Sequence, residues 1–126
     1  MNTWQSYVDL NLVGAGLEHA AILGYDGQVW ACSAGFAPSL EEITVLHSLF
    51  DLPLSALRYG FILDRRKYFT LYVNAHGLLG RRGSRGCVCI KTPEELVIGV
   101  YNEELHGSKA LKIVETFTDY LRILSF

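Results

Sequence analysis

Residues 59–101 read YGFIL DRRK YFTLYV NAHG LLGRR GSRG CVCIK TPEE LVIGVY, and this stretch decides the fold. Short runs rich in Val, Ile, Tyr and Phe alternate with links built from Gly, Pro, Asn and charged residues. Such runs read as strands, and the links read as turns. The expectation is a β-meander with strands at 59–63, 68–73, 78–82, 87–91 and 96–101. Asp64-Arg65-Arg66-Lys67 is a short charged link, residues 80–86 a glycine-rich turn or bulge, and Thr92-Pro93-Glu94-Glu95 a further turn.

Working outward, Ser39-Leu40-Glu41-Glu42 is a capping box. The Ser39 side chain accepts from the Glu42 amide while the Glu42 side chain reaches back. The helix it opens should run to about residue 50, with Ile43, Leu46, Leu49 and Phe50 inward, and should be ended by Asp51 and Pro53. Further upstream, 20–23 and 28–34 read as two strands joined at Tyr25-Asp26-Gly27, where Asp-Gly supplies the positive φ of a hairpin turn. Residues 2–13 read as a helix with Trp4 and Tyr7 three apart on one face, and Val8 and Leu12 beside them. A last helix is expected over 108–124 with Ile113, Val114, Phe117, Leu121 and Leu124 buried. The order is helix, two strands, helix, five strands, helix. It implies an α+β domain: a central antiparallel sheet, the terminal helices packed on one face and a further helix on the other.

At 126 residues the chain reads as one domain, and half of its residues are hydrophobic, enough for a core. No apolar run approaches the roughly 20 residues that span a bilayer, and no secretory signal is expected. Cys32, Cys87 and Cys89 form no disulfide pattern, so a reducing, cytoplasmic compartment is expected. The net charge of −2 hides an asymmetry. Residues 58–91 hold eight cations against Asp64 alone, a net of +7, while the remainder holds three cations and twelve carboxylates, a net of −9. A basic block of this kind steers an acidic partner or an anionic lipid surface, or simply solvates strand edges.

Chemistry is scarce. The glycine-rich 80–86 stretch lacks the Gly-Lys-Ser/Thr ending of a phosphate-binding loop, and Gly14-Ala15-Gly16 follows no strand. Cys87 and Cys89 share a strand face, but His76 and His106 are too distant in sequence to complete a metal site, and small buried apolar residues are the plainer reading. No nucleophile-elbow pattern accompanies the Ser, His and Asp residues. Neither an enzyme, a cofactor, a metal nor a nucleic-acid partner is expected.

Large aromatics at both chain ends suggest docked termini or a platform for a partner. Trp4-Gln5-Ser6-Tyr7-Val8-Asp9, the stretch from Ala20-Ala21-Ile22-Leu23 through Gly27-Gln28-Val29-Trp30-Ala31, and the closing Asp119-Tyr120-Leu121 together resemble profilins, the small actin-monomer-binding proteins. Gly80-Arg81-Arg82-Gly83-Ser84 is similar to the basic loop of plant, fungal and protist members. The resemblance runs in order along essentially the whole chain. It implies a central sheet with the terminal helices side by side, and a cleft that binds polyproline through Trp4, Tyr7, Trp30, Tyr120 and Phe126. An extended polyproline II ligand loses little entropy on binding, and flat rings pack its pyrrolidines.

The resemblance further implies binding of monomeric actin through Lys67, Arg81, Arg82, Lys91, His106, Gly107, Lys109 and Lys112, and a monomer is the default expectation for the chain itself. Leu111 and Thr116 depart from the Asn and, in vertebrate members, the Glu common at those positions. Phosphoinositide lipids are expected at Arg81, Arg82 and Arg85 in competition with actin. The implied role is a cytoskeletal adaptor between actin and proline-rich regulators. The alternatives are a phosphoinositide-directed membrane-surface protein and a polyproline-binding scaffold with little actin activity.

Overall fold

A computed structural model describes residues 3–124. The chain opens with one α-helical turn, α1 (Thr3–Ser6), which widens to π-type geometry over Tyr7–Leu12 and closes in a 3₁₀ turn at Val13–Ala15. A hairpin follows, β1 (His19–Gly24) and β2 (Val29–Cys32), then α2 (Leu40–Leu49) and α3 (Pro53–Tyr59). Strands β3 (Phe61–Leu63), β4 (Arg66–Val73), β5 (Gly77–Arg82), β6 (Arg85–Lys91) and β7 (Glu95–Tyr101) form the meander, and α4 (Gly107–Leu124) ends it. The sheet order is β2-β1-β7-β6-β5-β4-β3, antiparallel throughout. The end of the meander therefore returns to the first hairpin, with β7 paired to β1 from His19↔Val100 to Gly24↔Glu95.

Side chains of the central strands divide by alternation. Ala20 and Ile22 of β1, Val88 and Ile90 of β6, and Val97 of β7 pack with Val8, Leu12, Val114, Phe117 and Leu121 of the terminal helices. Ala21, Leu23, Cys87, Cys89, Leu96 and Ile98 point the other way, onto Ile43, Leu46, Leu49 and Phe50. A strand covered on both faces must be apolar at every position, which is why CVCI and LVIGV read as unbroken hydrophobic runs. The result is three layers, with the terminal helices on one side of the sheet and α2 and α3 on the other, as the α+β reading required.

The structure departs from that reading at several points. Pro53 does not end helical structure; it opens α3 at the first helical position, where its fixed φ and missing N–H cost nothing. Only Ala56 of α3 is buried, while Leu54 and Leu57 are exposed, so no amphipathic period announces the helix. The N-terminal segment is helical as expected but mostly not α-helical: the Val13 N–H reaches both Val8 O and Asp9 O. Apolar spacing alone does not distinguish these ladders. Strand β2 is shorter than 28–34, because Phe36 N–H bonds Ser33 O (3.2 Å) and turns the chain away. The glycine-rich 80–86 stretch is mostly strand, paired as far as Arg82↔Arg85, with Gly83-Ser84 as the turn. Along α4, Ala110, Val114, Phe117, Thr118 and Leu121 form the buried stripe; Ile113 is half-buried and Leu124 is exposed.

The link between β3 and β4 is also tighter than expected. Leu63 pairs directly with Arg66, and Asp64 and Arg65 take positive φ (50° and 64°), the signature of a two-residue hairpin turn. Glu42 holds it. One carboxylate oxygen accepts from Ser39 N–H (2.9 Å) and Asp64 N–H (2.9 Å), the other from Arg65 N–H (2.8 Å). The capping box is thus also a clamp between α2 and the β3–β4 turn. Burial raises the Glu42 pKa, but the backbone and Ser39 hydrogen bonds to the carboxylate outweigh it, and the net shift is downward. A carboxyl with a lowered folded-state pKa stabilises the fold above its unfolded value, roughly pH 4.3, and that contribution fades as pH falls through the folded value. Glu42→Gln should therefore cost on the order of 2 kcal/mol at pH 7. Urea titrations should show the gap to the wild type closing towards pH 3; a gap independent of pH would contradict the carboxylate clamp.

Candidate functional site

The sheet's alternation places Trp30, on edge strand β2, beside the N-terminal helical segment, and α4 lies along that segment's other side. Four rings then form a continuous ladder. Trp30 lies 5.0 Å from Trp4, centroid to centroid, at an interplanar angle of 44°. Trp4 meets Tyr7 edge-on at 5.8 Å, and Tyr7 meets Tyr120 edge-on at 5.9 Å. Buried Phe117 supports Tyr7 from below at 5.3 Å. Edge-to-face contacts in this range are the favoured geometry for aromatic pairs. Trp4, Tyr7 and Trp30 are half-buried and Tyr120 is exposed, so each ring is anchored yet presents surface. Phe126, the fifth aromatic expected here, lies outside the described residues.

Local contacts fix the ladder. Gln5 Nε2 donates to Cys32 O (3.0 Å) and to Asp9 Oδ1 (3.1 Å), tying the N-terminal segment to the end of β2. A hydrogen bond between the Tyr7 and Tyr120 side chains, then burial, raises the Tyr7 pKa, so the phenol stays neutral at physiological pH.

Two hollows extend the ladder. Beside Trp4 and Tyr7, a groove of about 320 Å³ is lined also by Thr3, Glu94, Glu95, Leu121 and Leu124. Glu95 is buried, and its Oε1 accepts from the Thr92 hydroxyl (2.5 Å). On the far side of Tyr120 lies a larger trough of about 710 Å³. Asn11 and Ala15 line it from the N-terminal segment, and Lys109, Lys112, Ile113, Thr116, Phe117 and Tyr120 line it from α4, with Leu105.

The cations expected to form one face are divided among several places. Lys67 pairs in register with Ile62, and Arg81 with Phe69, so these two share the face of β3–β5 that α4 leaves uncovered. Arg81 Nε donates to Gly83 O (2.8 Å), and Lys67 Nζ donates to Tyr59 O. His106 and Gly107 stand at the start of α4, where His106 Nδ1 accepts from Ser108 N–H (3.2 Å); Lys109 and Lys112 are on the first turns. Arg82 turns to the opposite face and lies over Tyr68, 5.9 Å from the ring centre. Lys91 is five residues along β6 from Gly86, the partner of Arg81, which is roughly 17 Å away. Its ammonium lies 5.3 Å from the Phe50 ring and 5.4 Å from the Tyr25 ring, against the α2 layer. Burial, then the charge of Lys91, lowers the pKa of neighbouring His47. Arg85 is paired with Glu18 (3.4 Å) and Glu103 (3.1 Å), and Glu18 also accepts from Asn102 Nδ2 (2.9 Å).

A profilin family model matches residues 2–125. The chain belongs to the profilin family. Profilin-1A of Acanthamoeba castellanii is 42% identical over 120 residues, 94% of this chain and 95% of that protein. The crystal structure of profilin II from the same organism superposes with a TM-score of 0.94 at 39% identity, covering 98% of this chain and 100% of that one. Mouse profilin IIa in complex with a double repeat from the FH1 domain of mDia1 shares the fold, with a TM-score of 0.74 at 23% identity over 98% of this chain and 99% of that one.

In this profilin the uncovered sheet face carries more than charge. Ile62, Phe69, Leu71 and Tyr72 are each half or more exposed, Phe69 at 68%. Beside them a groove of about 310 Å³ runs between α4 and the sheet, lined by Tyr72, Leu79, Ile90, Leu111, Glu115 and Arg122 among others. No cationic pattern in the sequence marks these residues. Their signal was the unbroken YFTLYV run: among the described residues the terminal-helix core takes in no side chain of β4, so half of an apolar β4 faces outward. No helix among the described residues is long and apolar enough to cross a membrane, and no His/Cys/Asp/Glu cluster among them could hold a metal ion.

Proposed function

We propose that this profilin is an adaptor that holds monomeric actin on the uncovered sheet face and a proline-rich actin regulator in the aromatic groove. The ring ladder Trp30–Trp4–Tyr7–Tyr120 carries the reading. Half-buried rings with fixed spacing are what a preformed polyproline II helix packs against, and neither binding event asks for bond-making chemistry. The protein would act as a cytoplasmic monomer, regulating filament assembly by delivering monomers.

On the actin side, exposed Phe69 flanked by Arg81 and Lys67 supports an apolar contact with a cationic rim. The apolar part supplies affinity and the charges set encounter rate and salt dependence. His106 and Gly107 would extend this surface at the start of α4, whereas Lys109 and Lys112 line the trough between α4 and the N-terminal segment and are left out of it. Phe69→Asp should weaken actin-monomer binding about thirtyfold, the scale of a central hot spot, while oligoproline binding persists. Sedimentation of the variant with actin would detect this, and undiminished actin binding would exclude the uncovered face.

Phosphoinositide lipids would meet the same surface. Because Arg85 is engaged by two carboxylates and Arg82 lies over Tyr68, we assign any headgroup contact chiefly to Arg81, in competition with actin. The direct test of the adaptor is capture of actin by this profilin on immobilised oligoproline. Oligoproline binding without actin would reduce the protein to a scaffold, and vesicle binding without either would reduce it to a membrane-surface protein.

A further inference from the structure

The aromatic ladder does not stop at Tyr120. Residues 109, 112, 113, 116, 117 and 120 follow the three- and four-residue spacing of one helix side, so α4 presents them together as a wall. Its floor is apolar, with Ile113 and Phe117, and its outer edge carries the exposed Lys109 and Lys112. No carboxylate lines the trough among the described residues, and neither lysine is in an ion pair among them. The groove on the other side of Tyr7, beside Trp4, is edged by exposed Glu94, with buried Glu95 also in its lining. The ligand surface is therefore electrically polar along its length: acidic near Trp4, basic beyond Tyr120.

We propose that the lysine-edged trough is a second subsite of this profilin, which receives the flank of a proline-rich segment bearing an apolar residue followed by acidic ones. The proposal rests on the aromatic-groove reading and adds to it a partner chemistry and a single binding direction. Spacing sets where the acidic residues fall. Lys112 and Lys109 lie eight and eleven residues before Tyr120, about 12 and 16 Å along the helix axis. An extended polyproline II chain advances about 3.1 Å per residue, so the acidic pair belongs about four or five residues beyond the proline that meets Tyr120. A polyproline helix alone offers little to orient it. Charge at one end only would select one orientation and reject an acidic flank at the Glu94–Glu95 end.

The test compares an oligoproline with two derivatives, one carrying an acidic pair at that distance beyond its N-terminal end and one beyond its C-terminal end. Affinities are measured by calorimetry at low and high salt. One derivative should bind about threefold or more tighter than oligoproline at low salt, with the advantage shrinking at high salt, and the other should gain nothing. In the Lys109→Ala/Lys112→Ala variant the ratio between the favoured derivative and oligoproline should fall to about one. Equal gains from both derivatives, no gain from either, or a ratio that survives the double substitution would overturn the subsite. Phosphatidylserine vesicles form a further arm. Lysine-dependent vesicle binding with no peptide gain would assign the trough to a membrane surface instead. Failure of unmodified oligoproline to bind the wild type would refute the groove itself, and the subsite with it.

Discussion

Replacing Trp4 with alanine should cost the proline-rich ligand about 2 kcal/mol or more, roughly a thirtyfold loss of affinity. Trp4 is an inner ring of the ladder, with Trp30 at 5.0 Å on one side and Tyr7 at 5.8 Å on the other. Its removal takes away a stacking surface and also frees its neighbours from the geometry that preorganises them, so the ligand must order what the protein now leaves loose. Trp4 also packs against the Val8–Leu12–Leu121 cluster, so some loss of stability should accompany the loss of binding. Tyr120→Ala separates the two effects. Tyr120 is 44% exposed and stands outside the buried core, so its truncation should weaken ligand binding with a smaller change in unfolding midpoint. Calorimetric titration of both variants, with their urea unfolding curves, gives the comparison. If Trp4→Ala binds as the wild type does, Trp4 serves packing alone.

The largest stability effect should come from Gly60→Ala. Gly60 ends α3 and hands the chain to β3 with φ +66° and ψ −153°, a region open essentially to glycine. A Cβ there would also stand 2.2 Å from the Tyr68 carbonyl oxygen on the neighbouring strand, well inside contact distance. The clash is with backbone, so no side chain can swing aside to relieve it. Backbone strain and displaced β3–β4 pairing together should remove about 3 kcal/mol or more. Because β4 carries Phe69 and Lys67, actin binding should fall together with stability, while the aromatic ladder at the other edge of the sheet should still take oligoproline under folding conditions. An unfolding midpoint within error of the wild type would contradict the geometry at this junction.

Much of the architecture was legible in short-range pattern. The capping box at Ser39 and Glu42 forms as written, and the Asp26-Gly27 turn takes its positive φ at Gly27 (85°). The unbroken CVCI and LVIGV runs mark strands covered on both faces because burial on two sides leaves no polar position. Trp4, Tyr7 and Tyr120 could be grouped because terminal aromatics require a docking site. Trp30 joined them by family resemblance, since its place beside Trp4 depends on which face of an edge strand meets the N-terminal segment.

Less local features escaped. Glu42 reads locally as a cap, yet it also binds the amides of Asp64 and Arg65, more than 20 residues away. Arg85 counted towards a basic block, but Glu18, 67 positions earlier in the chain, occupies it. Lys91 belongs to the same charge run as Arg81 and sits at the other end of the sheet, because a strand of alternating faces spreads a sequence cluster through space. Helix α3 was hidden by its exposed leucines. The trough at Lys109 and Lys112 was invisible because the side of α4 that borders it is set by where the N-terminal segment lies.

This profilin has two tryptophans, Trp4 and Trp30, and both stand in the ladder. Selectively excited tryptophan emission therefore reports the proposed groove, which makes its titration with oligoproline the most direct test of an open, ring-lined site. The account predicts a saturable change in tryptophan emission that shifts to higher peptide concentrations in Tyr120→Ala. An emission spectrum unmoved by oligoproline, under conditions where another profilin responds, would contradict it.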